Sequence, residues 1–122
     1  MKKEKDIWDL VNHKKEAYIN LANEIFDTPE ILYKEFKSVL KHTQILKKEG
    51  FKVVEGFCNM PTAVMGEYGD AGPVIAILGE FDALPGLSQQ AGIAEHKPID
   101  RLGHGHGCGH NLLGAASLLA AV

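Results

Sequence analysis

Val74-Ile75-Ala76-Ile77-Leu78 is an unbroken apolar run, followed at once by Gly79-Glu80-Phe81-Asp82. A run without polar alternation suits a strand covered on both faces, the central strand of an α/β sheet. The turn cluster Gly69-Asp70-Ala71-Gly72-Pro73 stands before it. Before that, Phe51-Lys52-Val53 and Ala63 to Tyr68 carry the period of two expected of strands. Strands joined by a short glycine-rich turn pair as a hairpin, so the expected sheet is mixed.

Helices are expected outside this block. Ile7, Leu10, Val11, Tyr18, Leu21 and Ile25 recur at helical spacing and predict a helix over residues 5–26. Asp27-Thr28-Pro29-Glu30 reads as a helix start, with Pro29 at the first position. A second helix is expected from Pro29 to Glu49, its buried stripe being Leu32, Phe36, Val39, Leu40, Thr43 and Leu46. Gly50 reads as its left-handed cap. From Gly79 to Gly109 periodicity vanishes, and a segment that long inside a compact domain is usually functional or disordered. Residues 110–122 regain helix character. The fold class is therefore α/β: N-terminal helices, then strands of a mixed sheet, then a helix.

The whole is 122 residues with a net charge of −3 and 45% hydrophobic content. That is one ordinary soluble domain at most, able to bury roughly 65% of its unfolded surface. No basic field invites nucleic acid. Two cysteines, Cys58 and Cys108, are too few for a disulfide framework. The charged stretch Met1–Asp9 lacks a signal-peptide core. Leu112–Val122 is about half of the ~20 residues a membrane span needs. It reads as a core helix, and the expected location is the cytoplasm.

Two motifs carry chemistry. Glu80 and Asp82 flank Phe81 after the buried run, where ligands bind in open α/β sheets. In extended backbone both point to one face and converge. His104-Gly105-His106-Gly107-Cys108-Gly109-His110-Asn111 is more specific. Imidazole and thiolate are ligands for zinc and related metals, and glycines bring them close. The helix that follows presents its positive end to Cys108 and favours the thiolate. No finger spacing and no Cys-x-x-Cys pair is present. The other conspicuous residues read as bland. Cys58 and Trp8 are expected to pack, His13 and His42 to lie on the surface, and His96 to sit in a loop.

With these motifs the chain resembles the co-catalytic metal amidohydrolases: hippurate hydrolases, auxin-conjugate hydrolases, aminoacylase-like carboxypeptidases and the aminobenzoyl-glutamate hydrolase branch. The resemblance is carried by Gly56 with Met60 to Ala63, by Pro73 to Gln89, and by Gly105 to Gly114. It implies that residues 1–122 are the N-terminal part of a metallopeptidase-like catalytic domain, lacking the second, substrate-gripping and dimerisation domain. It implies Cys108 and His110 as metal ligands and Asp82 as the acidic residue that orients a ligand. Glu80 and His106 are further candidate ligands. Asn111 stands where hippurate-type members carry Asp. The implied cofactor is a divalent metal, two ions per complete site, zinc first with manganese or cobalt as alternatives. The implied reaction is amide hydrolysis of N-acyl amino acids or dipeptides by a homo-oligomeric enzyme. The general base and the other ligands come later in the family, so this chain alone is expected to be inactive. Two other readings compete with it: a non-enzymatic metal-binding fragment, and a thiol enzyme using Cys108 as nucleophile.

Overall fold

The computed structural model describes residues 4–122; the start of the charged stretch, Met1–Lys3, lies outside the described residues. Helix α1 spans Glu4–Phe26, matching the apolar spacing. Only its C-terminal half is buried, through Tyr18, Leu21, Ala22 and Ile25. Trp8, expected to pack, is 60% exposed, since it lies in the half of α1 that holds none of the helix's buried residues.

Helix α2 spans Phe36–Lys48 and starts later than Pro29. The reason is Glu30. Its carboxylate accepts hydrogen bonds from the Lys37 and Ser38 backbone N–H groups, at 3.0 and 2.8 Å, and from the Ser38 hydroxyl at 2.9 Å. Glu30 thus caps the helix from outside it, and residues 29–35 form a bend instead of a first turn. Ser38, held by Glu30, lies on the buried face, which His42 and Leu46 continue at a spacing of four. Ser38, His42, Thr43 and Leu46 are buried, while Leu32, Phe36 and Leu40 of the expected stripe are exposed. Replacing Glu30 by alanine removes two capped N–H groups, so a loss of about 1–2 kcal/mol is expected in urea unfolding. An unchanged midpoint would refute the cap.

At its other end α2 closes as read. Gly50 is left-handed (φ 87°). Its N–H bonds to the Lys47 carbonyl at 3.1 Å and that of Phe51 to Leu46 at 3.0 Å, which is a Schellman ending.

Strands β1 (Lys52–Glu55) and β2 (Val64–Glu67) pair antiparallel, Lys52 opposite Glu67 and Glu55 opposite Val64. They are joined through residues 56–63, which include a one-turn 3₁₀ helix, Phe57–Asn59. Cys58 sits there exposed at φ 54°, on the outside of the turn and not in the core as expected. Gly66 lies over α2, where a Cβ would come within 2.7 Å of Leu46.

The apolar run 74–78 departs most from expectation. It forms no strand pairing among the described residues, and Val74 and Leu78 are 97% and 88% exposed. A doubly covered strand needs neighbours on both edges and layers on both faces; here β1 and β2 pair with one another, and the run pairs with neither among the described residues. Helix α3 spans His110–Ala121 and packs mainly on α1. Ser117 Oγ donates to the Leu78 carbonyl at 2.8 Å, which holds the end of the run against α3.

The core is the meeting of the three helices. Leu21, Ala22 and Ile25 of α1 enclose Ala115, and Tyr18, Leu46 and Leu118 form the adjoining cluster. On α3 only Asn111, Gly114, Ala115 and Leu118 are buried, so Leu112–Val122 is a core helix along one face, with Leu112 and Leu113 outside. No described helix is long and apolar enough to cross a membrane.

Candidate metal centre

Two arms of chain bring the site together. The first is Gly79 to Leu84, which passes under α3. There Gly114 lacks the Cβ that would meet the Glu80 carbonyl at 2.8 Å, and that absence lets the helix ride close. The second is Gly103 to His110, which feeds into the start of α3. The arms are joined directly by a two-bond bridge: Leu84 N–H to the Gly105 carbonyl at 2.9 Å, and Gly105 N–H to the Leu84 carbonyl at 3.0 Å.

Gly109 takes the left-handed conformation (φ 78°) that a residue with a Cβ resists, and turns His110 inward as the first residue of α3. The His110 ring then lies between the two acids. Its Nδ1 is 2.9 Å from Asp82 Oδ1 and 3.0 Å from the Asp82 carbonyl. Nε2 is 3.0 Å from Glu80 Oε2. Nδ1 faces two acceptors and must carry a proton. Nε2 faces a carboxylate oxygen of Glu80, so imidazole nitrogen and carboxylate oxygen are presented side by side. Ligand atoms of Glu80, Asp82 and His110 all fall within 4.8 Å of one another. The expectation that Glu80 and Asp82 converge on one face agrees with this geometry.

Imidazole nitrogen plus carboxylate oxygen is a donor set that suits a divalent cation, with Nδ1 held by a carboxylate in the manner common to metal-binding histidines. Cys108 does not join the trio: its thiol is exposed at the approach to α3. His106 is buried, and its Nε2 donates to the Ile25 carbonyl at 3.1 Å, leaving Nδ1 without a partner. His104 is half-buried and lines, with His106, a recess of about 500 Å³ beside Phe26 and Leu87. His96 sits in irregular chain, as read, and is exposed.

Some of the residues that build the site carry no signal of their own in the sequence. His42, expected at the surface, is 3% exposed. It shares the buried face of α2 with Ser38 and Leu46, and its ring stacks on Phe81 with centroids 4.5 Å apart. Its Nδ1 donates to the Ser38 carbonyl at 2.9 Å, and Nε2 has no partner. Burial holds both His42 and His106 below the ordinary histidine range. Asn111 is buried too, its amide donating to the Ala22 carbonyl at 3.1 Å. Ala83 N–H bonds to the Glu30 carbonyl at 2.7 Å. Only Gly114, a small residue in mid-helix, hinted at such close packing.

No protein-family model matches the chain. Individual relatives do. The chain is 43% identical over 114 residues, 93% of its length, to a p-aminobenzoyl-glutamate hydrolase subunit of Escherichia coli. It is 34% identical over 108 residues to Thermostable carboxypeptidase 2 of Saccharolobus solfataricus, and 30% identical over 108 residues to N-acetylcysteine deacetylase of Bacillus subtilis. It spans about a quarter of the length of each: 24%, 26% and 27% respectively. The resemblance to amide- and peptide-bond hydrolases read from the motifs is thus borne out by homologues with those names.

Proposed function

We propose that this chain, a homologue of those hydrolases, supplies the metal-binding part of a catalytic domain that cleaves the amide bond of N-acyl amino acids, aminobenzoyl-glutamate among them. The observation that carries the proposal is His110, held at Nδ1 by Asp82 with Nε2 turned toward Glu80. In this reading His110 and Cys108 are ligands, Glu80 is a further one, and Asp82 orients the imidazole. Cys108 precedes His110 across Gly109 and is accessible to an ion from solvent.

A divalent ion supplies Lewis acidity at such a site, polarising a carbonyl oxygen and acidifying water. The residues of the chain do the rest. Asp82 fixes the tautomer of His110 by accepting the hydrogen bond from Nδ1–H, so the lone pair of Nε2 is free to ligate. Glu80, exposed, brings its carboxylate within reach of the same point. The full protein, in this proposal, binds two ions, acts on a small-molecule substrate as a homo-oligomer, and resides in the cytoplasm.

Zinc content after equilibrium dialysis tests the ligand set. Wild-type protein is expected to retain zinc, while Cys108→Ser and His110→Ala each bind at least tenfold more weakly. Zinc content unchanged in both variants would sink the assignment. Assays of the zinc-loaded full protein, extended to the length of its relatives, on p-aminobenzoyl-glutamate, N-acetyl amino acids and dipeptides read the substrate class. Stoichiometric zinc with no turnover of any of them would favour a metal-binding fragment without enzymatic activity.

A further inference from the structure

The two arms of the site are held by one short piece of chain. The last turn of α1 and the bend after it, residues 22–31, offer three carbonyls to them. Ala22 accepts from Asn111 Nδ2 and Ile25 from His106 Nε2, both at 3.1 Å. Glu30 accepts from Ala83 N–H at 2.7 Å, and Ile31 lies beside Ala83 in a parallel bridge. The first two contacts grip the histidine arm on either side of Cys108 and His110. The last grips the acidic arm one residue after Asp82. Both anchoring side chains are buried, His106 at 8% and Asn111 at 5% exposure.

We propose that residues 22–31 set the spacing between the acidic and histidine arms, and that His106 and Asn111 are positioning residues for the metal site. The proposal rests on the metal reading above. Neither side chain need touch the ion. Each donates one hydrogen bond to a carbonyl that cannot move without moving α1, which is packed in the core through Leu21, Ala22 and Ile25. Asn111 is suited to this in a way that Asp is not, because a carboxylate cannot donate to Ala22. His106 anchors through Nε2–H, the donor that the Ile25 carbonyl requires.

Cobalt(II) titration of the full chain, followed by visible absorption, tests this. His106→Leu and Asn111→Asp are each expected to weaken cobalt binding about tenfold, at the low end for residues that orient metal ligands. Both should also alter the visible spectrum. His106→Gln, whose amide can reach the Ile25 carbonyl as a donor, is expected to restore most of the affinity and the wild-type spectrum. Circular dichroism of the metal-free proteins separates misplacement of the ligands from loss of fold. His106→Leu or Asn111→Asp proteins that are folded and bind cobalt with wild-type affinity and spectrum would overturn the proposal while leaving the metal reading intact. Failure of the wild-type chain to bind cobalt would overturn the metal reading and this proposal with it.

Discussion

Gly105→Ala is expected to lose about 3 kcal/mol of stability in urea unfolding and to abolish metal binding. A Cβ at this position would lie 1.9 Å from the Leu87 carbonyl oxygen and 2.5 Å from its carbon. Both atoms are backbone, so no rotamer change relieves the clash. The chain must instead open the bridge to Leu84, giving up two hydrogen bonds. Overpacking of this kind costs about 1–3 kcal/mol, and each hydrogen bond about 0.5–1.5 kcal/mol. Opening the bridge also parts the acidic arm from the histidine arm, so Asp82 no longer meets His110. Neighbouring glycines provide the contrast. At Gly107 an added Cβ meets only the end of the Leu87 side chain, at 2.7 Å, which can turn away. At Gly109 nothing is within 4 Å, and the cost is the left-handed backbone alone, about 1–2 kcal/mol. An alanine variant at 105 with unchanged midpoint and zinc affinity would refute the steric account.

Those three glycines also mark what the sequence could and could not say. Their alternation with histidine and cysteine reads as a metal-type motif. Which glycine is indispensable depended on Leu87, a residue in a segment with no periodicity to place it. Local signals were read well where the interaction is local. Examples are α1, the Schellman ending at Gly50, the β1–β2 residues with their period of two, and the convergence of Glu80 and Asp82. Readings failed where a distant group decides. Glu30 reaches forward to cap α2, so the helix starts past Pro29, and the Ser38 it holds lies on the buried face that His42 shares. The apolar run 74–78 looked like a central strand because its composition records what it is suited to pair with. Composition cannot say whether such neighbours stand beside it. Trp8 and Cys58, expected to pack, are exposed, because residue type alone is a weak signal of burial.

The inward turn of His42 has a consequence that pH reveals. Burial is the main cause that lowers its pKa below 6.5, and the Ser38 carbonyl offsets this only in part. No charged side chain contributes to the shift. The folded protein therefore keeps His42 neutral at a pH where the unfolded chain already binds a proton. Stability should be flat above about pH 7, then fall as pH drops through the unfolded value of about 6.5, until the lower folded value is reached. His106 is shifted the same way, again mainly by burial. Each such proton contributes a slope of at most about 1.4 kcal/mol per pH unit, so the pair can reach about 2.7. His42→Leu isolates one of them. Leucine has nearly the same volume and can pack on Phe81. It also removes the unpartnered Nε2, whose burial costs about 1–3 kcal/mol. The variant is expected to equal or exceed wild-type stability at pH 8 and to show a shallower acid slope than wild type in urea midpoints between pH 7 and pH 5. A variant with the full wild-type slope would show that His42 titrates freely in the folded protein, and that the α2 face it occupies opens to water.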